Sequence, residues 1–466
     1  MPLLPPADAR LSGMSLRTHK AHGSAAPASE PARWKQVLAW ASWDWGSASF
    51  NAVMTTFVFT VYLTSSSFGD TDDNSAVLGA GLAVAGVAVA VLAPITGQRS
   101  DAGGHRRKWL TINTLLVCAL MAACWFVFPS PQFLVLGVAL IAAANLFFEF
   151  AGVNYNAMLS QVSTPATVGK VSGLGWAAGY VGGIAALALV LVGFVQPEVG
   201  WFGVTAENGL NLRSVAVFSA VWFLLFALPL MFAVPEVPRQ DAVARLGIIA
   251  SYKLLFQRIK ALFKSDRHTI WFLLASAVYR DGLAAVFTFG GVIAGGTFGW
   301  ELPQVIMFAI FGNVIAAVGS VIGGFLDDRA GPKPVIVWSL AGLILAGTAV
   351  VVLGPGEQDL LGLQWNGDTT FWIFGLLLCL FVGPAQAASR AFLARLATEG
   401  KEGELFGLYA TTGRAVSFLA PALFSACIVI FGAQRYGIIG IMAVLLAGLL
   451  LLLPVRSPAA REASRP

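Results

Sequence analysis

Long apolar stretches, separated by short polar segments, make up most of this chain of 466 residues. At least ten of the stretches reach the roughly 20 residues that an α-helix needs to cross the hydrocarbon core of a membrane. The pattern predicts twelve membrane spans, at residues 36–66, 76–97, 109–128, 133–160, 170–194, 214–234, 269–296, 303–325, 334–353, 370–396, 404–430 and 435–454. We therefore expect an all-α membrane protein, and we number the spans one to twelve in chain order.

The two halves of the chain repeat each other. Three pairs of positions recur at a constant offset of 234 residues: Asn156 and Arg390, Gly173 and Gly407, Gly179 and Gly413. A second repeat joins two loops and pairs Gly97 with Gly324, Asp101 with Asp328, and Gly104 with Gly331. A duplicated membrane protein usually keeps its substrate site on the seam between its halves. The repeat thus predicts two pseudo-symmetric six-helix bundles and favours a carrier.

The predicted domains follow from the same pattern. Residues 34–234 form the first bundle and residues 269–454 the second. Between them, residues 235–268 are a predicted cytoplasmic linker, in which apolar and basic residues alternate at helical spacing. This spacing indicates a short amphipathic helix on the anionic membrane surface, with a plain linker as the alternative. Residues 1–33, rich in Ala, Pro and Ser, are a predicted disordered tail, and residues 455–466 form a second cytoplasmic tail.

The distribution of charge predicts how the protein lies in the membrane. Hydrophobic residues make up 57% of the chain and charged residues 11%, which is far from the balance of a soluble domain. One side of the predicted bundle holds 25 of the 29 lysines and arginines, so the positive-inside rule places both termini in the cytoplasm. The net charge of +5 is therefore a topology signal and indicates no nucleic-acid partner. All four cysteines lie in predicted spans, and we expect them to be apolar packing residues.

Two similar loops follow spans two and eight. They are residues 97–108, GQRSDAGGHRRK, and residues 324–333, GFLDDRAGPK. Glycine permits a tight turn, aspartate can cap a helix or pair with arginine, and the basic residues face anionic lipid. The loops resemble the signature loop of the major facilitator superfamily, which that fold has in both halves. The resemblance implies gating turns built from Gly97, Asp101, Gly104, Arg106, Gly324, Asp328, Gly331 and Lys333; solvated turns without a gating role are the alternative.

Four further segments carry a narrower resemblance. They contain Trp43-Asp44-Trp45-Gly46, Asn154-Tyr155-Asn156-Ala157, Arg280-Asp281-Gly282 and Ser389-Arg390-Ala391-Phe392. Together they resemble the vacuole-effluxer-like family, which includes the autophagy-associated vacuolar amino-acid exporters of yeast and bacterial relatives. The match extends from Trp40 to Leu453. It implies a twelve-helix facilitator fold and the export of small solutes, amino acids in the fungal members. Arg280 departs from the family, which frequently has an uncharged residue there.

Charged residues inside the predicted spans are functional candidates, because a charge at that depth is costly. Five such residues are Asp44, Glu149, Arg280, Asp281 and Arg414. Helical spacing predicts one polar stripe on span one, formed by Asp44, Asn51, Thr55 and Tyr62, and another on span four, formed by Asn145, Glu149, Gly152 and Asn156. We expect the stripes to face each other or water. The candidates for contact with substrate or coupling ion are Asp44, Asn51, Glu149, Asn156, Arg280, Asp281 and Arg414.

The sequence leaves the roles of these charges open. Asp44, Glu149 and Asp281 are candidates for binding a coupling proton or cation, since no histidine lies in a predicted span. A structural hydrogen bond is the alternative for Asp44, and a buried pair with Arg414 is the alternative for Glu149. Either Arg280 or Arg414 is a candidate for clamping a substrate carboxylate. The alternative for both is a structural ion pair with one of the three carboxylates.

Signatures of other functions are missing from the sequence. It contains no phosphate-cradling loop, no metal-ligand spacing and no nucleophile with a base, so we expect no enzyme activity, no metal and no cofactor. We expect a monomeric secondary active transporter of the bacterial plasma membrane, which exports a small polar solute such as an amino acid by alternating access, coupled to a proton or cation. A drug or sugar exporter of the same fold and a non-transporting solute sensor are the alternatives.

Overall fold

The structure is a computed structural model, and it describes residues 30–236, 252–253, 256–257, 259–260, 262–263, 266–300, 302–360, 363–398 and 400–456. Span one begins at Glu30, so the last four residues of the predicted N-terminal tail are helical, which corrects the predicted boundary. The rest of that tail, most of the C-terminal tail and much of the linker lie outside the described residues. The described linker positions between 252 and 263 are helical.

The first half contains six spans that are helical over most of their length. In chain order they are Glu30–Ser49 with Phe50–Phe57 and Phe59–Leu63, Thr71–Gly103, Arg106–Ala123, Leu134–Ala157, Val168–Val190, and Leu210–Ala233. Spans two to six begin and end within about six residues of their predicted limits. Span one is divided into three segments, and its middle segment is a π-helix.

The second half repeats this arrangement. Its spans are Arg267–Gly296, Leu302–Ala330, Pro332–Leu353, Gly367–Leu396, Glu402–Val416 with Leu419–Phe431, and Gly437–Leu452. Eleven of the described helices are long and apolar enough to cross a membrane, and the divided span one completes the predicted twelve. Two short antiparallel strands, β1 (Gln358–Leu360) and β2 (Leu363–Trp365), lie between spans nine and ten. This hairpin is a small exception to the predicted all-α fold.

Local signals in the sequence explain where several spans begin. Asn366 caps span ten, because its side-chain oxygen accepts a hydrogen bond from Thr369 N at 2.7 Å. Asp266 caps span seven in the same way through Thr269 N at 3.3 Å. Pro332 is the first residue of span nine, where a missing backbone N–H costs nothing. Polar caps and prolines thus separate helices that are apolar along almost their whole length.

The π-helix in span one changes which way the outer part of the span faces. A π-turn holds more residues than an α-turn, so the spacing that groups Asp44 with Tyr62 no longer keeps them on one face. Tyr62 is buried, and its hydroxyl donates to Val127 O within the first half at 3.0 Å. The predicted polar stripe is therefore wrong at Tyr62, although Asn51 is exposed and Thr55 is half-buried.

The two halves pack closely at the end of the molecule that carries residues 97–108 and 324–333, which we call the turn end. Span two packs against span eleven there, and span five packs against span eight. A Cβ atom on Gly97 would lie 1.9 Å from Gly403 O, and one on Gly173 would lie 2.4 Å from Ser320 O. Only glycine allows backbones to approach this closely, so the glycine repeat in the sequence closes the turn end.

Candidate transport site between the two halves

Asp44 of span one and Arg390 of span ten form an ion pair between the two halves. Arg390 Nη1 lies 3.2 Å from Asp44 Oδ2, and the Tyr155 hydroxyl donates to the same carboxylate oxygen at 2.8 Å. The side chains of Arg390 and Asp44 are only 6% and 18% exposed. Buried charges need both an opposite charge and hydrogen bonds, and this arrangement supplies both.

The first half also surrounds the rest of the Arg390 guanidinium. Its Nε donates to the Ser172 hydroxyl at 3.0 Å and its Nη2 donates to the Ser172 carbonyl at 2.6 Å. Gly175 makes room for the guanidinium, since a Cβ there would lie 2.7 Å from Nη2. The rings within cation–π range of the guanidinium carbon are those of Trp40, Tyr155 and Trp176, at 4.9, 5.7 and 5.5 Å. Spans one, four and five therefore hold an arginine of span ten in an aromatic cage.

The seam between the halves passes between Asn156 and Arg390, which are equivalent positions of the repeat. Arg390 Nη1 donates to Asn156 Oδ1 at 3.4 Å, across a separation of 234 residues. Equivalent positions of two pseudo-symmetric halves meet only near the axis that relates the halves. The Asp44–Arg390 pair therefore lies near this axis, on the seam where the repeat predicts the substrate site.

Glu149 of span four and Arg414 of span eleven form a second ion pair between the halves. Arg414 Nη2 also lies 3.5 Å from Asn145 Oδ1. The Arg414 and Glu149 side chains are 34% and 28% exposed, so this pair is more open to solvent than the first. The Tyr180 hydroxyl donates to Gln386 Oε1 at 2.5 Å, and Tyr180 is the repeat equivalent of Arg414. The same position of each half thus makes a polar contact with the opposite half.

Arg280 and Asp281 of span seven contact different parts of span eleven. Arg280 Nη1 donates to Tyr409 O at 3.2 Å, and its guanidinium carbon lies 3.7 Å from the centroid of the Tyr409 ring. Asp281 Oδ2 accepts a hydrogen bond at 2.6 Å from the backbone N–H of Ala420, in the first turn of the second helix of span eleven. A carboxylate there satisfies free backbone donors and complements the helix dipole. Asp281 is therefore engaged in holding the break in span eleven.

The aspartates of the two turns each cap a helix of the opposite half. Asp101 accepts hydrogen bonds from the backbone N–H groups of Gly403 and Glu404, at 3.1 and 2.9 Å. Asp328 accepts them from Gly169 and Lys170, at 2.8 and 3.1 Å. The capped helices are the starts of spans eleven and five, which are equivalent in the repeat. The turns therefore contact the opposite half.

Arginines reinforce both turns. Arg106 lies 2.7 Å from Asp101 Oδ1 and 2.5 Å from Glu402 Oε2, and it is 2% exposed. Arg395 of span ten pairs with Asp327 and lies 3.4 Å from Asp328 Oδ1. The first network uses the predicted residue Arg106, whereas the second uses an arginine that the sequence analysis did not single out.

Some predicted site residues lie apart from these contacts. Lys333, a predicted gating residue, donates to Leu453 O at 2.6 Å and so binds the end of span twelve in its own half. The described hydrogen bonds of Asn51 involve its backbone carbonyl, which accepts from the hydroxyls of Thr55 and Thr56. Gly104 and Gly331 have φ angles of +63° and +85°, which explains why both turns need glycine there.

Arg390 is the main site residue that sequence reasoning missed. It lies close to the predicted end of span ten, at residue 396, and so it was not recognised as a charge inside the membrane. The missed signal was its place as the repeat equivalent of Asn156, a residue already predicted to face the seam. Ser172 and Tyr155 were also not among the candidates, because neither a serine nor a tyrosine in an apolar helix is unusual.

Two six-helix bundles that meet at buried, paired charges define the class of this protein, which is a transporter of the major facilitator superfamily. The superfamily model matches residues 5–187. A second model, described as "Vacuole effluxer Atg22 like", matches residues 160–465. The chain belongs to this vacuole-effluxer family, as its sequence motifs indicated.

Several proteins are similar to this chain along most of its length. The "Uncharacterized MFS-type transporter YxiO" of Bacillus subtilis (strain 168) is 26% identical over 90% of this chain and 94% of its own length. The "Probable nitrate/nitrite transporter NarK2" of Mycobacterium tuberculosis is 24% identical over 80% of this chain and 85% of its own. "Autophagy-related protein 22" of Cryptococcus neoformans is 26% identical over 60% of this chain, which spans about half of that protein's length.

Solved structures agree on the fold. The proton:xylose symporter XylE superposes with a TM-score of 0.70 at 11% identity, covering 93% of this chain and 99% of XylE. The transporter FucP, in its outward conformation, superposes with a TM-score of 0.65 at 15% identity over the same shares of the two chains. At these identities the likeness shows the fold alone.

Proposed function

We propose that this protein is a secondary active transporter that exports a small polar solute, such as an amino acid, by alternating access. The observation that carries the proposal is that both central ion pairs, Asp44–Arg390 and Glu149–Arg414, join the two halves. A rocking movement of the halves must change these contacts. Any ligand that competes for one of these charges therefore shifts the balance between the two conformations.

A proton or a cation is the ligand best suited to compete for the carboxylates. Neutralising Asp44 or Glu149 removes the attraction that holds the matching arginine. The freed guanidinium then becomes available to a solute with an acceptor group. Coupling arises because the arginine can pair with either the carboxylate or the solute. It is free to pair with the solute when a proton or a cation is bound to the carboxylate.

The proposed location of the protein and the proposed direction of transport are supported by different observations. The excess of basic residues on the side of the turns supports a plasma membrane orientation with both termini in the cytoplasm. The family description "Vacuole effluxer Atg22 like" supports movement of solute out of a compartment. Both halves that form the seam belong to one chain, which supports a monomer as the working unit.

The experiment uses purified protein in liposomes loaded and assayed with radiolabelled L-amino acids. Under an imposed pH gradient, wild-type protein should drive net movement, and Asp44→Asn and Glu149→Gln should each reduce that movement at least tenfold, because an amide cannot take up or release the proton. Asp359→Asn, in the exposed strand β1, is the matched control and should behave as wild type. Gradient-driven movement at the wild-type rate in either test variant would refute that residue's role.

The alternative functions, a solute sensor and a drug or sugar exporter, predict different results in the same assay. Binding of solute by wild-type protein without any flux would contradict transport and favour a sensor. Transport of sugars or of lipophilic cations, with none of amino acids, would favour the drug or sugar exporter.

A nitrate-like anion is a second candidate substrate. The similarity to a probable nitrate/nitrite transporter over 80% of this chain favours it, and so do the arginines at the seam. Nitrate is therefore included among the assayed solutes.

A further inference from the structure

Arg280 differs from Arg390 and Arg414, the two arginines that join the halves, in having no acidic partner among the described residues. Arg390 is paired with Asp44 and Arg414 with Glu149. Among the described residues, no carboxylate lies within ion-pair distance of Arg280. The carboxylate of the neighbouring Asp281 accepts a hydrogen bond from the backbone N–H of Ala420 instead.

The structure nevertheless holds the Arg280 guanidinium in a defined position. Its carbon lies 3.7 Å from the centroid of the Tyr409 ring, and Nη1 donates to the carbonyl of the same residue at 3.2 Å. Gly413 follows one helical turn later, and a Cβ there would lie 3.3 Å from Nη1. Tyr409 and Gly413 therefore form a shelf for the guanidinium on the face of span eleven.

The equivalent place in the first half is built differently. Gly175 is the repeat equivalent of Tyr409, and it leaves space that Arg390 of the opposite half fills. In the second half a tyrosine ring occupies this position and supports an arginine of its own half. The shelf is thus a specific departure from the pseudo-symmetry, at the place where the two halves meet.

Arg280 is half-buried, and a guanidinium at this depth is costly when no anion neutralises it. Of its five N–H donors, one is bound to the Tyr409 carbonyl. The remaining donors include an adjacent pair, the arrangement that binds a planar oxyanion through two parallel hydrogen bonds. Ser417 and Phe418, at the break in span eleven one helical turn beyond Gly413, are exposed.

We propose that Arg280, supported by Tyr409, is the binding site for the negatively charged group of the transported solute, a carboxylate or a nitrate-like oxyanion. The inference rests on the proposed transport function and narrows it to solutes that carry such a group. It also distinguishes two arginines that the sequence left equivalent: Arg414 is paired with Glu149 until that carboxylate is neutralised, whereas Arg280 is available to the solute without such a release.

The test measures binding to purified full-length protein by the shift in melting temperature and by calorimetry. The probes are the twenty L-amino acids, short mono- and dicarboxylates, and nitrate, each carboxylate being paired with its amide, for example L-alanine with L-alaninamide. Wild-type protein should bind at least one anion, and should bind the matching amide at least tenfold more weakly. Equal binding of acid and amide, or binding by none of the anions, would overturn the proposal. This arm needs no variant.

Variants locate the site. Arg280→Gln should weaken anion binding at least tenfold, and Arg280→Lys should give an intermediate loss, because lysine keeps the charge but not the planar pair of donors. Arg435→Gln is the matched control; Arg435 donates to Tyr436 near the start of span twelve, and its loss should leave binding unchanged. Unchanged anion binding in Arg280→Gln or Arg280→Lys would overturn the proposal.

Flux measurements separate this inference from the proposed function. If wild-type liposomes move only uncharged solutes, the anion site is refuted and transport stands. If wild-type protein binds anions through Arg280 but moves nothing, the anion site stands and transport is refuted. A carboxylate preferred over nitrate, or the reverse, identifies which anion the site takes.

Discussion

Arg390 connects the two halves more extensively than any other side chain at the central site. Its three nitrogen atoms contact Asp44, Asn156 and Ser172, so a single guanidinium of span ten is bound by three spans of the first half. Removal of one partner of a buried ion pair leaves the other charge unpaired and costs about 3–5 kcal/mol. Removal of both partners costs less, because no unpaired charge is left behind.

This difference predicts a double-mutant cycle. Arg390→Gln should destabilise the protein strongly, because it leaves Asp44 buried with only the Tyr155 hydroxyl as a partner. The double variant Asp44→Asn, Arg390→Gln should be more stable than Arg390→Gln alone, since amides can hydrogen-bond without charge. Melting temperatures in detergent, with denaturant titrations where unfolding is reversible, would measure both. If the effects of the two substitutions simply add, the ion pair is not the main interaction of these residues.

At the scale of elements, the helices agree with the sequence because apolar runs of this length have few alternatives in a membrane. The predicted and observed helix ends differ where polar residues continue a helix. Span two runs to Gly103 rather than residue 97, so Asp101 belongs to the helix and can reach across to span eleven. The π-helical segment Phe50–Phe57 has no signal in hydrophobic periodicity, and for that reason the stripe on span one was only partly correct.

The pairing of charges was harder to predict than their positions. The stripe on span four faces arginines of the second half, with Asn145 and Glu149 at Arg414 and Asn156 at Arg390. Which arginine meets which carboxylate depends on how the two halves are rotated relative to each other. This rotation cannot be derived from a single sequence. The sequence therefore leaves open whether Arg414 and Arg280 bind substrate or form ion pairs.

Glycine contacts between elements lead to a prediction about closure of the turn end. Gly97→Ala should keep spans two and eleven apart, because the new Cβ would lie 1.9 Å from a backbone oxygen of Gly403 that cannot rotate away. We expect the protein to fold but transport to fall at least tenfold. Gly86→Ala is the matched control, since nothing lies within 4 Å of a Cβ there.

The structural effect of Gly97→Ala can be measured directly. Ser100 is fully buried at the turn end, and Ser100→Cys is nearly isosteric, so it reports whether that end is open. In a background in which the half-buried Cys427 is replaced, the introduced cysteine should react with a maleimide at least tenfold faster in Gly97→Ala than in Gly86→Ala. Equal rates would contradict the role of Gly97 in closing the turn end.

At the scale of the whole molecule, some contacts between the halves follow the pseudo-symmetry and others depart from it. The two capping aspartates, and the contacts of Tyr180 and Arg414 with the opposite half, are symmetric pairs. The ionic contacts depart from this symmetry: an aspartate of the first half meets an arginine of the second, and Arg280 stands on a shelf that the first half lacks. Symmetric contacts suit the alternation of two equivalent conformations, whereas the asymmetric charges are the ones we propose to bind solute and coupling ion.

Direction depends on how the molecule lies in the membrane, and two exposed positions test the predicted orientation. Ala330 lies at the turn end, and Phe202 lies in the loop between spans five and six and is 94% exposed. Because basic residues favour the cytoplasmic side, Phe202→Cys should react with a membrane-impermeant maleimide on intact cells. Ala330→Cys should react only after the membrane is permeabilised. Three native cysteines are buried, and Cys427 is replaced to lower the background. The reverse pattern of labelling would place the turns outside, and the proposed export would then have to be read as uptake.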